Sequence, residues 1–214
     1  MLSATTTGTV TASITTTESI TELKTLTETT NAYTIVISSA DASANAEDLS
    51  AIDGKTTATI DATAVTAISG TYDQITTLYG SAGVDNLGDE AISISEPLTV
   101  TQANVIDGLT TGAVTASIVT TESVDSLKAL TGTNNAYTIV IAAGDATGRT
   151  AADFNTINGK TTGTIDATAV TALTYDTIDN INTLLSAGND TAQFTATSFS
   201  QLSSVSIFDP AKYL

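Results

Sequence analysis

Thr57-Ala-Thr-Ile-Asp-Ala-Thr-Ala-Val65 alternates small polar residues with apolar ones, and it returns almost unchanged as Thr162-Gly-Thr-Ile-Asp-Ala-Thr-Ala-Val170. A period of two sends successive side chains to opposite faces, so each copy reads as a short, half-buried strand. Looser copies stand at Thr9-Val-Thr-Ala-Ser13, Thr34-Ile-Val-Ile-Ser38 and Ala113-Val-Thr-Ala-Ser117.

Outward from these strands the chain is a tandem duplication. Residues 8–37 and 112–141 agree at 22 of 30 positions, at an offset of 104. One inserted residue later the offset is 105, and Gly54 to Val65 matches Gly159 to Val170 with a single change, Ala58 to Gly163. A shorter period lies inside each half. Val10, Ile35, Ile60, Ile92, Val114, Ile139, Ile165 and Phe194 open successive strands, at spacings of 25, 25, 32, 22, 25, 26 and 29.

Between the strands the apolar period changes to three, as in Ile20, Leu23 and Leu26, or Val124, Leu127 and Leu130. That step marks short helical turns. Thr17-Glu-Ser19 and Thr121-Glu-Ser123 supply capping hydroxyls ahead of these turns, and Gly54, Gly80, Gly108, Gly132 and Gly159 stand where such turns end. The expected fold is an α/β repeat: a parallel β/α solenoid with one short strand and one short helix per coil of about 26 residues, and about eight coils. The alternative is a right-handed parallel β-helix. The expected organisation is one continuous solenoid domain. It comprises an N-terminal extension over residues 1–7, coils 1–4 over 8–111, coils 5–7 over 112–190, and a divergent capping coil and tail over 191–214.

Composition narrows the function. The net charge of −17, from 6 Lys and Arg against 23 Asp and Glu, opposes binding to nucleic acid, which needs clustered cations. No apolar run approaches 18 residues, so no membrane insertion is expected, and residues 1–8 lack the pattern of a classical signal peptide. The chain has neither His nor Cys, which removes imidazole and thiolate chemistry. About a fifth of its residues are Thr.

Candidate sites are few. Gly54-Lys-Thr-Thr57 and Gly159-Lys-Thr-Thr162 look like the end of a phosphate-binding loop, but Leu49 and Phe154 occupy the place of its first glycine. The glycine reads as a helix end and the lysine as a solvated turn charge. Asp85, Asp89 and Glu90 form the densest carboxylate cluster; it reads as a solvated loop, with weak calcium binding as the sharper alternative. No other cofactor is expected. Asp61 and Asp166 read as surface charges. The outward hydroxyls, Thr59, Thr63, Thr164 and Thr168 among them, form two candidate interaction rows. One is expected to run Thr9, Thr34, Thr59, Ala91, Ala113, Thr138, Thr164 and Gln193, the other Ser13, Ser38, Thr63, Ser95, Ser117, Ala142, Thr168 and Thr197. Phe208, Tyr213 and Leu214 either cap the last coil or serve as a docking segment.

Gly159 to Leu173 and the Val-Thr-Ala-Ser-Ile segments, followed by Asn-Ala-Tyr-Thr-Ile, resemble the Thr/Ala-rich solenoid repeats of very large surface or secreted proteins of marine cyanobacteria and their phages. The layout is also similar to that of leucine-rich repeats. The resemblance implies an extracellular, cell-surface or virion location and a structural or adhesive role without catalytic residues. Expected partners are copies of the chain itself, other surface or virion proteins, or host-surface glycans. The expected function is a non-enzymatic structural or adhesive solenoid. The alternative is a carbohydrate- or ice-binding module using the Thr/Ser face or the loops.

Overall fold

A computed structural model describes residues 7–27, 29–189 and 193–207. The protein is an α/β fold with parallel, open sheets and, among the described residues, seven α-helices. It divides into two compact units. Unit 1 comprises residues 1–95 and 108–113; unit 2 comprises 96–107 and 114–214.

Unit 1 holds β1 (Thr11–Ser13), α1 (Ile20–Leu23), β2 (Ala32–Val36), β3 (Ser43–Asn45), α2 (Ala46–Asp53), β4 (Ile60–Asp61), β5 (Ala67–Gly70), α3 (Tyr72–Tyr79), β6 (Val84–Asp85) and β7 (Ala91–Ile94). Its strands make two parallel rows, β1-β2-β4-β6 and β3-β5-β7. Unit 2 holds α4 (Val100–Asp107), β8 (Val114–Ser117), α5 (Val124–Leu127), β9 (Ala136–Val140), α6 (Ala151–Asn158), β10 (Ile165–Asp166), β11 (Ala172–Asp176), α7 (Ile178–Asn189) and β12 (Ser204–Ile207). There β8-β9-β10 run parallel, and β11 pairs with β12.

The period of three in the helices is a burial pattern. Ala46, Leu49 and Ile52 of α2, and Ala151, Phe154 and Ile157 of α6, are each fully enclosed. Ser19 caps α1 and Ser123 caps α5, accepting from the amides of Glu22 and Ser126. Gly54, Gly80 and Gly159 do end α2, α3 and α6, but at φ of −64°, −81° and −72°, so they stop the helices without a left-handed turn. Neighbouring helices pack on each other: α1 on α2 and α2 on α3, then α5 on α6 and α6 on α7.

Two expected registers are corrected. Val10 does not stand beside Ile35. Ala12 pairs with Tyr33, and Val10 lies level with buried Asn31, whose Oδ1 accepts from Val10 N at 2.8 Å. The second half repeats this, with Ala116 opposite Tyr137 and Val114 N donating to Asn135 Oδ1 at 2.8 Å. The asparagine carboxamide supplies the acceptor that a sheet neighbour would otherwise present. Nor does Ile92 follow Ile60. Val84 does, 24 residues on, while Ile92 pairs with Ile68 in the second row of strands. One strand per repeat is therefore an undercount in unit 1, where Ala67-Ile-Ser-Gly70 forms a further strand.

The Thr-Thr pairs that follow helices have a shared role. Thr161 Oγ1 is buried; it accepts from Tyr137 N and Gly163 N and donates to Tyr137 O, all within 2.9 Å. Thr56 makes the equivalent bonds to Tyr33 and Ala58. Thr110 donates to Glu90 O at 2.6 Å and accepts from Gly112 N. In all three the next threonine adds an amide bond to the preceding strand segment, Thr57 to Asn31 O, Thr111 to Gly88 O and Thr162 to Asn135 O. Each pair is a strap that ties the start of one strand to the strand before it. The Gly-Lys-Thr-Thr segments thus serve packing.

Unit 2 adds a charge network. Lys128 bridges Asp125 and Asp153 at 2.9 and 2.6 Å, and Arg149 joins Asp125 at 2.9 Å and also Asp145. Hydrogen bonds from Lys128, then Arg149, hold the Asp125 carboxyl below the ordinary range. Burial raises that of Asp153, but Lys128 and the hydrogen bonds from Thr150 together outweigh it and the carboxyl is again lowered. A carboxyl depressed in the folded state contributes stability that is fully present above its unfolded pKa of about 4 and is lost as pH falls through the folded value. Thermal melts should therefore be flat from neutrality down to about pH 5 and should fall progressively below pH 4. Lys128→Met should flatten that acid limb.

Candidate functional site

The outward positions of the strands carry the hydroxyls, because the inward ones are taken by Ile, Val and Ala. In unit 1 the observed register aligns Ser13, Thr34 and Thr59 as neighbours, and Thr34 and Thr59 are exposed. Thr9 is not in that row; the register correction at Asn31 puts Ser13 in its place. The row then stops at Gly83, where a Cβ would lie 1.8 Å from Asp53 Oδ1. In unit 2 the row is Ser117, Thr138, Thr164 and Gln193, with the first three exposed.

Thr63 and Thr168 sit differently. Asp61 Oδ1 accepts from Thr63 N at 3.0 Å, from its hydroxyl at 2.5 Å and from Asn86 Nδ2 at 2.9 Å. Thr168 N bonds Asp166 Oδ1 at 2.9 Å, and its hydroxyl meets that of Thr197 at 3.2 Å. Thr63, by hydroxyl and amide, and then Asn86 hold the Asp61 carboxyl low; Thr168 does the same to Asp166. These two aspartates close turns, which refines their reading as plain surface charges. Thr59 and Thr164 present hydroxyls outward, while those of Thr63 and Thr168 are engaged locally.

The acidic loop divides. Asp85 and Asp89 are exposed, whereas Glu90 is completely buried, so the solvated-loop reading is corrected there. Glu90 Oε2 accepts from the Tyr79 hydroxyl at 2.7 Å and from Gly88 N at 2.8 Å. Burial, then the bond to Glu90, pushes the Tyr79 pKa far above its ordinary value. Gly88 at φ +130° and Asn86 at φ +64° bend the chain so that Glu90 enters the interior. Among the described residues no group of three acidic side chains is placed to hold a metal ion.

A groove of about 480 Å³ opens beside the unit 2 hydroxyl row, lined by Pro97, Ser117 to Thr121, Thr138 and Val140. It offers hydroxyls beside apolar surface, with Val140 38% exposed. No aromatic ring lines it. At the far end of the unit, Phe199 packs edge-on to Phe154 and tilted against Phe194, with centroids 5.6 and 5.1 Å apart. Phe194 is 1% exposed, so this part of the divergent segment belongs to the core. Phe208, Tyr213 and Leu214 lie outside the described residues.

The strap threonines, Asn31, Asn135 and buried Glu90 escape a reading of the sequence alone. The Thr-Thr-Gly/Ala recurrence at residues 56–58, 110–112 and 161–163 was the available signal for the straps. No described helix is long and apolar enough to cross a membrane. Comparison with protein-family models, curated proteins and solved structures finds no match.

Proposed function

We propose that this chain is a non-enzymatic structural or adhesive element of an extracellular, cell-surface or virion assembly, built as a parallel β/α solenoid of about eight coils. The observation that carries the reading is the repetition itself. Parallel strands succeed one another at intervals of 21 to 26 residues, with threonine straps tying β4 to β2 and β10 to β9, and with outward hydroxyls on β1, β2, β8 and β9. Such repetition suits presentation of a surface. A chain without His or Cys has only carboxylates, hydroxyls and a few cations for chemistry. Its partners on this reading are copies of itself, other assembly proteins or host-surface glycans.

The groove beside Ser117 and Thr138 favours a second reading, recognition of carbohydrate through hydroxyls and apolar surface. Ice binding has less support, because Asp61 and Asp85 stand side by side next to the hydroxyl row of unit 1 and interrupt a regular face. Immobilised protein presented to intact cells and to a glycan array tests both. The adhesive reading expects saturable cell capture, weakened about fivefold or more by combined Ser117→Lys and Thr138→Lys, which crowd the face with charge. Capture of no cell and no assembly component would sink it. A glycan hit lost in the same variant would establish the second reading.

A further inference from the structure

The groove in unit 2 opens because the chain leaves the ladder after β8. Ser117 and Thr138 are paired neighbours, and Ile118 N still donates to Thr138 O at 2.9 Å. The next residue turns away. Val119 N donates to Leu98 O at 2.9 Å, Leu98 bridges Ile118, and Glu122 N closes a turn on Val119 O at 3.2 Å. Val140 stands two residues beyond Thr138 and so shares the outward face of β9. No residue of β8 pairs with it, and it stays 38% exposed.

The walls of the groove divide by chemistry. Ser117 and Thr138 present exposed hydroxyls on adjacent strands, while Pro97, Val119 and Val140 supply the apolar part. Its volume of about 480 Å³ lies within the roughly 300–1,000 Å³ of ordinary small-molecule sites. None of the lining residues is charged. An anionic ligand would meet no cation there. Asp166, which pairs with Val140 from β10, opposes it together with the net charge of −17. A cationic ligand would exchange water for uncharged walls. The groove therefore suits an uncharged ligand with hydroxyls for Ser117 and Thr138 and a small apolar group for the valines.

That apolar group must be compact. A hexose presents a broad C–H face to an aromatic ring, and no such ring lines the groove. Val119 and Val140 offer only methyl groups. The wall is peculiar to the second half, because Thr15 stands in the place of Val119 at the duplication offset of 104.

We propose that the groove binds a 6-deoxyhexose, an uncharged sugar whose terminal carbon is a methyl group. The methyl packs on Val119 and Val140, and ring hydroxyls bond Ser117 and Thr138. This rests on the carbohydrate reading above and names its sugar class. A methyl is favoured over a hydroxymethyl there because it leaves water readily and sets no unpartnered hydroxyl against valine.

Titration of the full chain with L-fucose and L-rhamnose, each against its hydroxymethyl counterpart L-galactose or L-mannose, isolates the methyl. Amide chemical shifts give the Kd, and saturation-transfer NMR shows which sugar protons touch the protein. At least one deoxy sugar should bind about fivefold or more tightly than its counterpart, with the strongest saturation on the methyl. Val140→Thr keeps the β-branch but replaces a methyl with a hydroxyl, and should bring the pair within about twofold. Its fold should hold, because Val140 is exposed and threonine suits a strand. Val36→Thr, the same change in the first half, should leave the preference intact.

Equal affinity within each pair, a preference that survives Val140→Thr or is lost in Val36→Thr, or tighter binding of the anionic sugar N-acetylneuraminic acid overturns the inference. Binding of hydroxymethyl sugars that is lost in the Ser117→Lys and Thr138→Lys variant would leave the carbohydrate reading standing while this inference fails. Binding of no sugar would end both.

Discussion

Ile165→Asp abolishes the cooperative thermal transition of unit 2, while the neighbouring Thr164→Ser melts like the parent. Ile165 is completely enclosed and lies between Ile139 of β9 and Phe194, which it meets across parallel bridges. A carboxylate placed there loses hydration without a cation in reach, and forcing it neutral still leaves a polar group in an apolar layer. The loss is about 4–5 kcal/mol or more, a large part of the ~5–15 kcal/mol that holds an ordinary domain. Thr164 is exposed and keeps its hydroxyl as Ser. Ile60→Asp in unit 1, with Thr59→Ser as its control, should behave alike, since Ile60 is equally buried between Ile35 and Val84. Far-ultraviolet circular dichroism on heating is the measurement. A parent-like melt for Ile165→Asp would mean that its side chain does not point inward.

Thr161→Val lowers stability by about 2–3 kcal/mol although it barely changes volume. The hydroxyl of Thr161 accepts from Tyr137 N and Gly163 N and donates to Tyr137 O. An isopropyl group leaves two amides and a carbonyl short of partners at a position only 2% exposed. For a protein of this size that corresponds to a midpoint lower by roughly 4–12 °C. Thr162→Val is the control, since its exposed hydroxyl makes one 3.2 Å bond to Asn135 O and should matter by less than about 1 kcal/mol. Equal effects of the two substitutions would refute the strap.

Much of this architecture was readable from residue types. Alternation around Ile60 and Ile165 marked inward and outward faces, and both residues are buried as their pattern requires. Steps of three at Leu49 and Ile52, or Phe154 and Ile157, marked one buried face per helix. Other features had no local signature. Asn31 and Asn135 look like turn residues but are buried acceptors for Val10 and Val114. Glu90 looks like part of a solvated acidic run, yet Tyr79, eleven residues away, receives it in the interior. Arg149 has no equivalent in the first half, and its partners Asp125 and Asp145 come from a separate helix and a separate turn. Among the candidate contact residues, the sequence ranked Thr59 and Thr63 alike. Only the turn at Asp61 separates an outward hydroxyl from an engaged one.

By itself the sequence determined the duplication, the strand and helix periods, the acidic surface and the absence of imidazole and thiol chemistry. The tertiary structure alone decided which strands are neighbours and in what register. The reason is that a period of two is indifferent to any even slip. Pairing Val10 with Ile35 or with Asn31 differs by four residues and leaves the same side chains facing inward. The choice was made by contacts distant in the chain: the asparagine acceptors, the threonine straps and the close approach at Gly112.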